Sequence, residues 1–258
     1  RRNRVQFANL SAIIVSTLVP ETALLYAPYL FDSSDEADFI YDNYLTPIFT
    51  EMLDQKGLKF FAWSEIGFHH VYSKSPVLKP DDLKGIRYRV SASLSSRYFA
   101  EAIGADLIPM GYGEIVQSLQ TDLITAGDNS IALYVKTGKE QEAPHYTLTQ
   151  HSLGMSVMVA GKDWWNNLTP EQQEAIESSW PDPKKARLEL REEEAGNLKN
   201  AETMGIKVYR LSQSERELWK SATIGQAERL AKEIGGRSEE VLSLIIEGKQ
   251  DYQNLPNN

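Results

Sequence analysis

The stretch GIRYRV, residues 85–90, decides the fold. It reads as a short β-strand, and because side chains alternate along a strand, Arg87 and Arg89 share one face. A helical segment, SSRYFAEAIG, follows at residues 95–104, and the strand-like run DLIPM comes next. A strand, a helix and a second strand in succession are typical of a parallel βαβ unit, hence of an α/β fold. Open α/β sheets bind ligands at the carboxyl ends of their strands, and Arg89 is the arginine nearer that end.

Arginine at such a position has two interpretations. A guanidinium presents a planar fork of donors that matches a carboxylate, which would make Arg89 a ligand-binding residue. Alternatively, Arg87 and Arg89 form ion pairs with Asp or Glu, or lie on a solvated edge strand, as most arginines do. The residues alone leave both interpretations open.

The rest of the chain alternates strands with helices, without repeats or low-complexity linkers. Ser33 with Glu36 and Ser212 with Glu215 are capping boxes, which predict helix starts. Pro47 predicts a kink in the helix that begins near Ser33. Further along, WPDP at residues 180–183 predicts an interruption, after which a charged helix runs from Lys184 to Met204; Thr169 followed by Pro170 predicts the start of the preceding helix.

Composition limits the possible partners. The chain has 258 residues, of which 41% are hydrophobic and 24% are charged, an ordinary balance for one large globular domain or two small ones. Its formal net charge of −9 disfavours nucleic acid and anionic lipid, so a bound anion needs a local cationic site. The absence of cysteine excludes disulfides, thiolate metal sites and cysteine nucleophiles.

Neither a membrane span nor a signal peptide is expected within this sequence. The longest apolar stretch, SAIIVSTLV at residues 11–19, is too short to span a bilayer. The basic start, RRNRVQF, lacks the apolar segment and the small-residue cleavage site of a signal peptide.

No set of residues predicts catalysis or metal binding. His69 and His70 are adjacent, so they point to opposite faces of a strand, and no HExxH pattern exists. His145 and His151 are interpreted as hydrogen-bonded residues at strand ends. Nucleotide-binding glycine motifs and the G-x-S-x-G elbow are also absent from the sequence. We therefore expect a binding protein with no enzyme activity, no cofactor and no metal; a metal-dependent hydrolase is the enzyme alternative.

Four segments together carry a family resemblance. They are DDLKGIRYRVSAS (81–93), AIGADLIPMGYGEIVQSLQT (102–121), AGDN (126–129) and HYTLTQHSLGMSVMVAGKDWWNNLTPEQQEAI (145–176). In this order and spacing they resemble the extracytoplasmic solute-binding proteins of TRAP transporters, which include dicarboxylate and sialic-acid receptors. The resemblance extends from Val5 to about Ile246.

The resemblance implies a two-lobed α/β fold of the periplasmic-binding-protein type, with hinge strands and a long bracing helix. Lobe I would comprise residues 1–66 and about 155–208, and lobe II residues 67–154 and about 209–258 with the C-terminal helices. The resemblance further implies a monomeric periplasmic receptor that closes over a small organic acid and delivers it to a TRAP permease. A sensor or scavenger with the same cleft but no permease is the alternative.

The resemblance also assigns ligand-binding residues. The family's carboxylate-binding arginine falls on Arg89, and its conserved amide falls on Asn129, which would contact the carboxylate or brace Arg89. Arg87 occupies a variable position on the same face. His69 stands where the family often has a second arginine, so a second strong anion contact is not expected. A protonated His69 would add a second contact to an anion and strengthen binding at lower pH, whereas a neutral His69 would suit a hydroxyl or keto oxygen. Because like charge from the nearby Arg87 and Arg89 disfavours a protonated ring, we expect the neutral form, and hence a monocarboxylate and not a dicarboxylate.

Aromatic residues offer a possible wall for the ligand. Trp63, Phe68, Tyr112 and Tyr134 could enclose an apolar or ring-bearing acid, although packing in the core is the alternative for most of them. Thr125 and Ala126 replace the Asp-Gly of the family pattern, so sialic-acid specificity is not expected.

The opening of the sequence departs from the family. Members begin with a strand, a helix and a second strand before the segment that RVQFANLSAIIVSTLVP resembles, and this sequence lacks them. We expect a fragment, or a chain whose opening residues are not included, and a lobe I that exposes a sheet edge.

Overall fold

The computed structural model describes residues 5–256. Seven strands form one mixed sheet in the order β1-β6-β2-β5-β3-β4, with β7 paired to β6. The strands are β1 (Phe7–Ser11), β2 (Leu58–Ser73), β3 (Arg87–Val90), β4 (Asp106–Pro109), β5 (Ala126–Asn129), β6 (His145–Gly161) and β7 (Lys207–Tyr209).

Helices surround this sheet, and none in the described chain is long and apolar enough to cross a membrane. The α-helices are α1 (Ala12–Val15), α2 (Ser34–Ile40), α3 (Thr46–Gln55), α4 (Leu94–Ala102), α5 (Ile115–Gln120), α6 (Ile131–Val135), α7 (Lys139–Glu142), α8 (Lys162–Asn166), α9 (Pro170–Ser178), α10 (Pro183–Ala201), α11 (Gln213–Ala222), α12 (Gln226–Ile234) and α13 (Ser238–Gln253). Short 3₁₀ turns cover Pro20–Tyr26, Pro80–Leu83, Tyr112–Glu114 and Glu202–Met204.

The relative directions of the strands agree only partly with the sequence prediction. The βαβ unit around α4 is present, because β3 runs parallel to both β4 and β5. The pairs β1–β6, β2–β6 and β2–β5 are instead antiparallel. The predicted parallel βαβ pattern therefore does not extend to this part of the sheet, where two long strands pair directly.

Strands β2 and β6 are the longest in the sheet and pair along most of their length. Their register shifts at three places, between Phe60 and Ala62, between Glu65 and Gly67, and between His69 and Val71. Gly67 has a φ of +96°, a backbone conformation that disfavours residues with a Cβ. Irregularities of this kind bend a strand pair and increase its twist.

Local helix signals are well reproduced. The Ser33 hydroxyl accepts the N–H of Glu36 at 3.1 Å and begins α2, as the capping pattern predicts. The expected kink is a π-helical turn, Tyr41–Leu45, between α2 and α3, and Pro47 lies in the first turn of α3. The WPDP break is also present: α9 ends at Ser178 and α10 begins at Pro183.

Three buried clusters form the core. The largest cluster joins the α1–α3 region to the middle of β6 and to the C-terminal helices, from which Leu230, Val241 and Ile245 contribute. Two smaller clusters surround β3 with α4, and α5 with α6. The helices α12 and α13 thus pack on residues that the sequence assigned to lobe I. The lobe boundaries themselves stay a prediction.

Helix α10 is fixed to the rest of the protein by buried ion pairs. Arg187, whose side chain is only 1% exposed, donates to both oxygens of Asp42 at 3.1 and 2.7 Å and pairs with Asp38 at 3.0 Å. Arg191 donates to Glu65 on β2 at 2.6 Å. Removing one partner of such a pair leaves an uncompensated charge in the interior, so these contacts hold α10 in one position.

Glu194 lies against the irregular part of β2. A Cβ added to Gly67 would fall 1.8 Å from the Glu194 Oε1 atom, so the carboxyl group of α10 rests directly on this glycine. Burial, followed by the nearby charge of Glu65, raises the pKa of Glu194 to about 8. The folded state therefore favours the protonated carboxyl below that pH.

Glu194→Gln is predicted to change the pH dependence of stability. Because the pKa of Glu194 is raised in the folded state, the wild type loses stability as pH rises from about 4.5 to about 8. Glutamine cannot ionise, so the variant loses less. We expect the decrease in Tm between pH 5 and pH 8 to shrink by roughly 3 °C or more, as about 1 kcal/mol corresponds to 2–4 °C at this size.

Thermal unfolding of Glu192→Gln is the matched control, because Glu192 is an exposed neighbour on the same helix. An identical pH profile for wild type and Glu194→Gln would contradict the prediction.

Candidate functional site

A small cavity lies where β2, β3, β5, β6 and α4 meet, and we call it the cleft cavity. Its polar lining consists of His69, Arg89, Asp128, His151, Ser152 and the serines at the start of α4; Ile13, Tyr26 and Phe99 complete the wall. Its volume of about 30 Å³ holds roughly one water molecule. The walls must therefore separate before an organic acid can enter.

Arg89 is the cation of the cleft cavity. The residue is only 9% exposed, and its Nη2 atom donates to the carbonyl oxygen of Met110 at 3.3 Å. Its Nε atom is buried and has no hydrogen-bond partner among the described residues. A buried donor without a partner is costly, and a charged one more so. This guanidinium is consequently suited to an anion.

Asp128 is the anion of the cleft cavity. Its Oδ2 atom lies 2.7 Å from His69 Nδ1, and its Oδ1 atom accepts the hydroxyl of Tyr88 at 3.2 Å. Burial by itself raises the pKa of Asp128, but the hydrogen bond from His69 and the charges of His69, His151 and Arg89 lower it to about 2. Asp128 is therefore ionised at neutral pH.

The ionised Asp128 orients His69. A carboxylate only accepts hydrogen bonds, so Nδ1 of His69 must donate, and Nε2 is left for another partner. A Cβ added to Gly154 on β6 would lie 3.1 Å from this Nε2 atom, so the glycine leaves the space that the ring requires. The ring also contacts Tyr26 edge to face, with centroids 5.6 Å apart.

His151 forms a neutral part of the wall. Its Nδ1 atom lies 2.8 Å from the Thr149 hydroxyl, and its ring stacks on Phe99 with centroids 3.8 Å apart. Burial lowers the pKa of His151 to about 3, and the attraction of Asp128 offsets only part of that effect. His151 therefore adds no positive charge near neutral pH.

Of the residues proposed from sequence, only Arg89 and His69 line the cleft cavity. Arg87 is exposed and acts electrostatically on Asp122, outside the cavity. Asn129 is buried beside the cavity, and its Nδ2 atom donates to the Tyr112 hydroxyl at 3.4 Å.

The aromatic candidates occupy other surroundings. Trp63 is buried in the largest cluster and donates to the Thr46 hydroxyl at 3.0 Å. Phe68 packs against the same cluster, and Tyr134 is buried in the cluster of α5 and α6. Tyr112 is 44% exposed. None of the four lines the cleft cavity.

Several cavity residues were not proposed from the sequence as ligand-binding residues. Asp128 is part of the quoted AGDN segment, and His151 was interpreted only as a hydrogen-bonded strand-end residue. Strand β5 covers Ala126–Asn129, so Asp128 lies near the carboxyl end of a strand. This position, at the end of a strand where open α/β sheets bind ligands, is the signal that could have identified it.

A second, larger groove of about 630 Å³ lies along the first half of β2 and the start of α10. It is partly apolar, with Phe61, Trp63 and Trp180 in its lining. Its cations already have partners: Arg187 pairs with Asp38 and Asp42, and Lys59 with Glu177. The larger volume of this groove favours it as a ligand site. The Arg89 guanidinium, whose Nε atom has no partner in the described chain, favours the cleft cavity as the anion site.

Comparison with known proteins places the chain in a family. The sequence model of one protein family, the bacterial extracellular solute-binding proteins of family 7, matches residues 1–233. The chain belongs to this family. The resemblance to TRAP extracytoplasmic solute-binding proteins and the two-lobed α/β fold are thereby confirmed. Proteins of the family bind solutes outside the cytoplasm, and the family and its solved relatives are binding proteins and not enzymes.

Three relatives illustrate the similarity of the chain to other members of the family. A solute-binding protein of Chromohalobacter salexigens is 29% identical over 194 residues, which cover 75% of this chain and 58% of the relative. A TRAP periplasmic solute-binding protein of the same organism, solved with bound D-glucuronate, has a TM-score of 0.86 at 25% identity, covering 96% of this chain and 81% of that one. The sugar acid binding protein of Advenella mimigardefordensis, in complex with galactonate, has a TM-score of 0.86 at 25% identity, covering 94% and 79%. The chain thus spans 58% of the length of the curated relative.

Asp128→Asn is predicted to remove part of the acid sensitivity of the folded protein. Because the pKa of Asp128 is lowered to about 2, the ionised carboxylate stabilises the folded state above about pH 4, and this contribution is lost as pH falls from about 4 to 2. The variant should be less stable than the wild type at pH 7, and the difference should shrink at pH 2–3. Urea unfolding at several pH values measures this difference.

Asp106→Asn is the control, because Asp106 is an exposed residue at the start of β4. A constant difference between Asp128→Asn and wild type at every pH would show that the loss comes from packing alone.

Proposed function

We propose that this protein is a periplasmic receptor, acting as a monomer, that captures a small organic carboxylate in the cleft cavity and delivers it to a TRAP membrane permease. The observation that carries the proposal is the buried Arg89 guanidinium, whose Nε atom has no protein partner in the described chain. The fork of a guanidinium matches a carboxylate in geometry and charge. The sugar acids bound by the two solved relatives belong to the same chemical class.

The charge of the cleft cavity favours a monocarboxylate. Arg89 supplies one positive charge and Asp128 one negative charge, while His151 is neutral. A monoanion adds one negative charge next to Arg89. A second carboxylate would approach Asp128 without another free cation in the lining, and like charges at short distance repel.

His69 is the residue proposed to select the substituent of the acid. Its Nδ1 atom is engaged by Asp128, so Nε2 of the neutral ring can accept a hydroxyl proton from the ligand. The sequence argument for a neutral ring relied on two neighbouring arginines, but Arg87 lies outside the cavity. In the neutral tautomer that the Asp128 contact selects, Nδ1 donates and Nε2 is the acceptor that remains. We therefore propose a hydroxy or keto monocarboxylate, including sugar acids.

Asn129 and Tyr112 are proposed to act beside Arg89. Tyr112 receives the Asn129 amide at 3.4 Å and the Lys139 ammonium at 3.0 Å, and Arg89 bonds to the neighbouring Met110 carbonyl. This arrangement supports the role of Asn129 as a brace of the arginine site. Arg87, Trp63, Phe68 and Tyr134 have no support as direct contacts in this geometry.

Arg89→Ala is predicted to abolish measurable acid binding while the protein stays folded. Truncating one side of a buried charge pair costs on the order of 2–5 kcal/mol, which is roughly a thirtyfold to several-thousandfold loss of affinity. Arg89→Lys should also weaken binding, because a point charge cannot replace the fork. A thermal-shift screen of organic acids identifies a ligand, since binding to the native state raises Tm. Calorimetry then measures the affinities.

Arg87→Ala is the matched control for this experiment, as it removes the same charge from the same strand outside the cavity. Near-wild-type affinity in Arg89→Ala would refute the proposed site.

His69→Gln tests the proposed selection of hydroxy acids. Competition between lactate, propionate and succinate at about pH 6 and pH 8 compares a hydroxy acid, a plain acid and a dicarboxylate. We expect lactate to bind best at both pH values and His69→Gln to weaken lactate roughly two- to tenfold more than propionate, the value of one neutral hydrogen bond.

The opposite pattern would overturn the monocarboxylate proposal. In that pattern, succinate binds tightly, its binding strengthens several-fold at the lower pH, and this binding disappears in His69→Gln. Such a result would identify the protonated His69 ring as a second cation.

A further inference from the structure

Three serines surround the start of α4, directly after the strand that carries Arg89. Ser91 precedes the helix, Ser95 and Ser96 lie in its first turn, and all three line the cleft cavity together with Arg89. Ser93, at the N-cap position, makes no side-chain capping hydrogen bond. The first N–H groups of a helix have no partner within the helix, so this end carries donors and a partial positive charge.

Two of these serines have a hydroxyl proton available. Ser96 Oγ accepts the N–H of Ser91 at 3.1 Å, and Ser91 Oγ accepts the N–H of Ser93 at 3.2 Å. In both contacts the oxygen is the acceptor, so its own proton remains to be donated. Ser95 differs, because its hydroxyl is paired with that of Ser93 at 2.7 Å.

The Arg89 side chain is an independent sign of a ligand at this place. It is about nine-tenths buried, it lines the same cavity, and its Nε atom has no partner in residues 5–256. Donors from a helix start, two hydroxyl groups and an unpartnered guanidinium thus converge on one small volume. Such a set matches the acceptor capacity of one carboxylate, which has two oxygens with about four lone-pair positions.

We propose that Ser91 and Ser96, with the start of α4, complete the carboxylate site of Arg89. The guanidinium takes one side of the carboxylate, and the two hydroxyl groups donate to the lone pairs that remain. This inference rests on the proposed function and adds the residues that distinguish a carboxylate from its neutral amide. An amide NH₂ group would face the Arg89 guanidinium, which only donates, and a neutral amide would leave the charge of that guanidinium uncompensated.

The test couples each serine to the charged group of the ligand. Affinities for D-glucuronate and galactonate, and for their amides D-glucuronamide and galactonamide, are measured by calorimetry for wild type, Ser91→Ala, Ser96→Ala and the double variant. Hydrogen bonds to a charged group are each worth about tenfold to a hundredfold in affinity. We expect each single variant to lose about that factor for the acid, and much less for the amide, so that the acid-to-amide ratio falls.

Ser93→Ala is the matched control, because it removes a hydroxyl from the same turn at a position outside the cavity lining. Ser96→Cys, which keeps the size of the side chain but donates weakly, guards against a loss caused by altered packing. Unfolding temperatures without ligand confirm that each variant is folded.

The outcomes separate this inference from the proposed function. If Arg89→Ala loses acid binding while the serine variants keep the acid-to-amide ratio of wild type, the inference is wrong and the proposed function stands. If the serine variants lose acid and amide binding equally, their role is packing, and the inference is again wrong. If the wild type binds neither acid, and the thermal-shift screen identifies none, both are wrong.

Discussion

Strands β2 and β6, of 16 and 17 residues, pair antiparallel along most of their length, and the other parts of the sheet are arranged around this pair. Strands β1 and β7 pair with β6, and β5 pairs with β2. The pair also supplies His69, His151 and Ser152 to the cleft cavity. Three register shifts interrupt the ladder of this pair at defined points, and such irregularities bend a strand pair and increase its twist.

Helix α10 connects β2 to other parts of the protein. Its arginines are bound to carboxylates on α2, on the π-helical turn and on β2, and its Glu194 rests on Gly67 at one of the register shifts. Separating one partner of a charge pair that is removed from water leaves an uncompensated charge, so such pairs hold the segments that carry them in a fixed geometry. The helix thus ties the irregular part of β2 to α2 and to the π-helical turn, which are distant in sequence.

The charges of the cleft cavity are only partly compensated within the protein. Arg89 and Asp128 are both buried. Both oxygens of Asp128 have partners, His69 and Tyr88, whereas the Nε atom of Arg89 has none within residues 5–256. The protein therefore tolerates one incompletely satisfied guanidinium in its interior, and an anionic ligand is the group that would satisfy it.

Part of this protein was predictable from its sequence. The helix starts at Ser33, Thr169 and Ser212, the break at WPDP and the strand that carries Arg89 were predicted, because each depends on hydrogen bonds or side-chain alternation within a few residues. The family resemblance then selected Arg89 and His69 from the other charged residues.

Tertiary structure decided the remainder. Asp128 meets His69 across 59 residues, and Arg191 meets Glu65 across 126. Such contacts exist only after distant segments have paired, and local patterns carry no record of that pairing. The same limit explains why the aromatic candidates proved to be mostly core residues, and why Arg87 lies outside the cavity although it is on the same strand as Arg89. Alternation along a strand follows from the sequence, whereas the packing of the sheet decides which side chains can face a ligand.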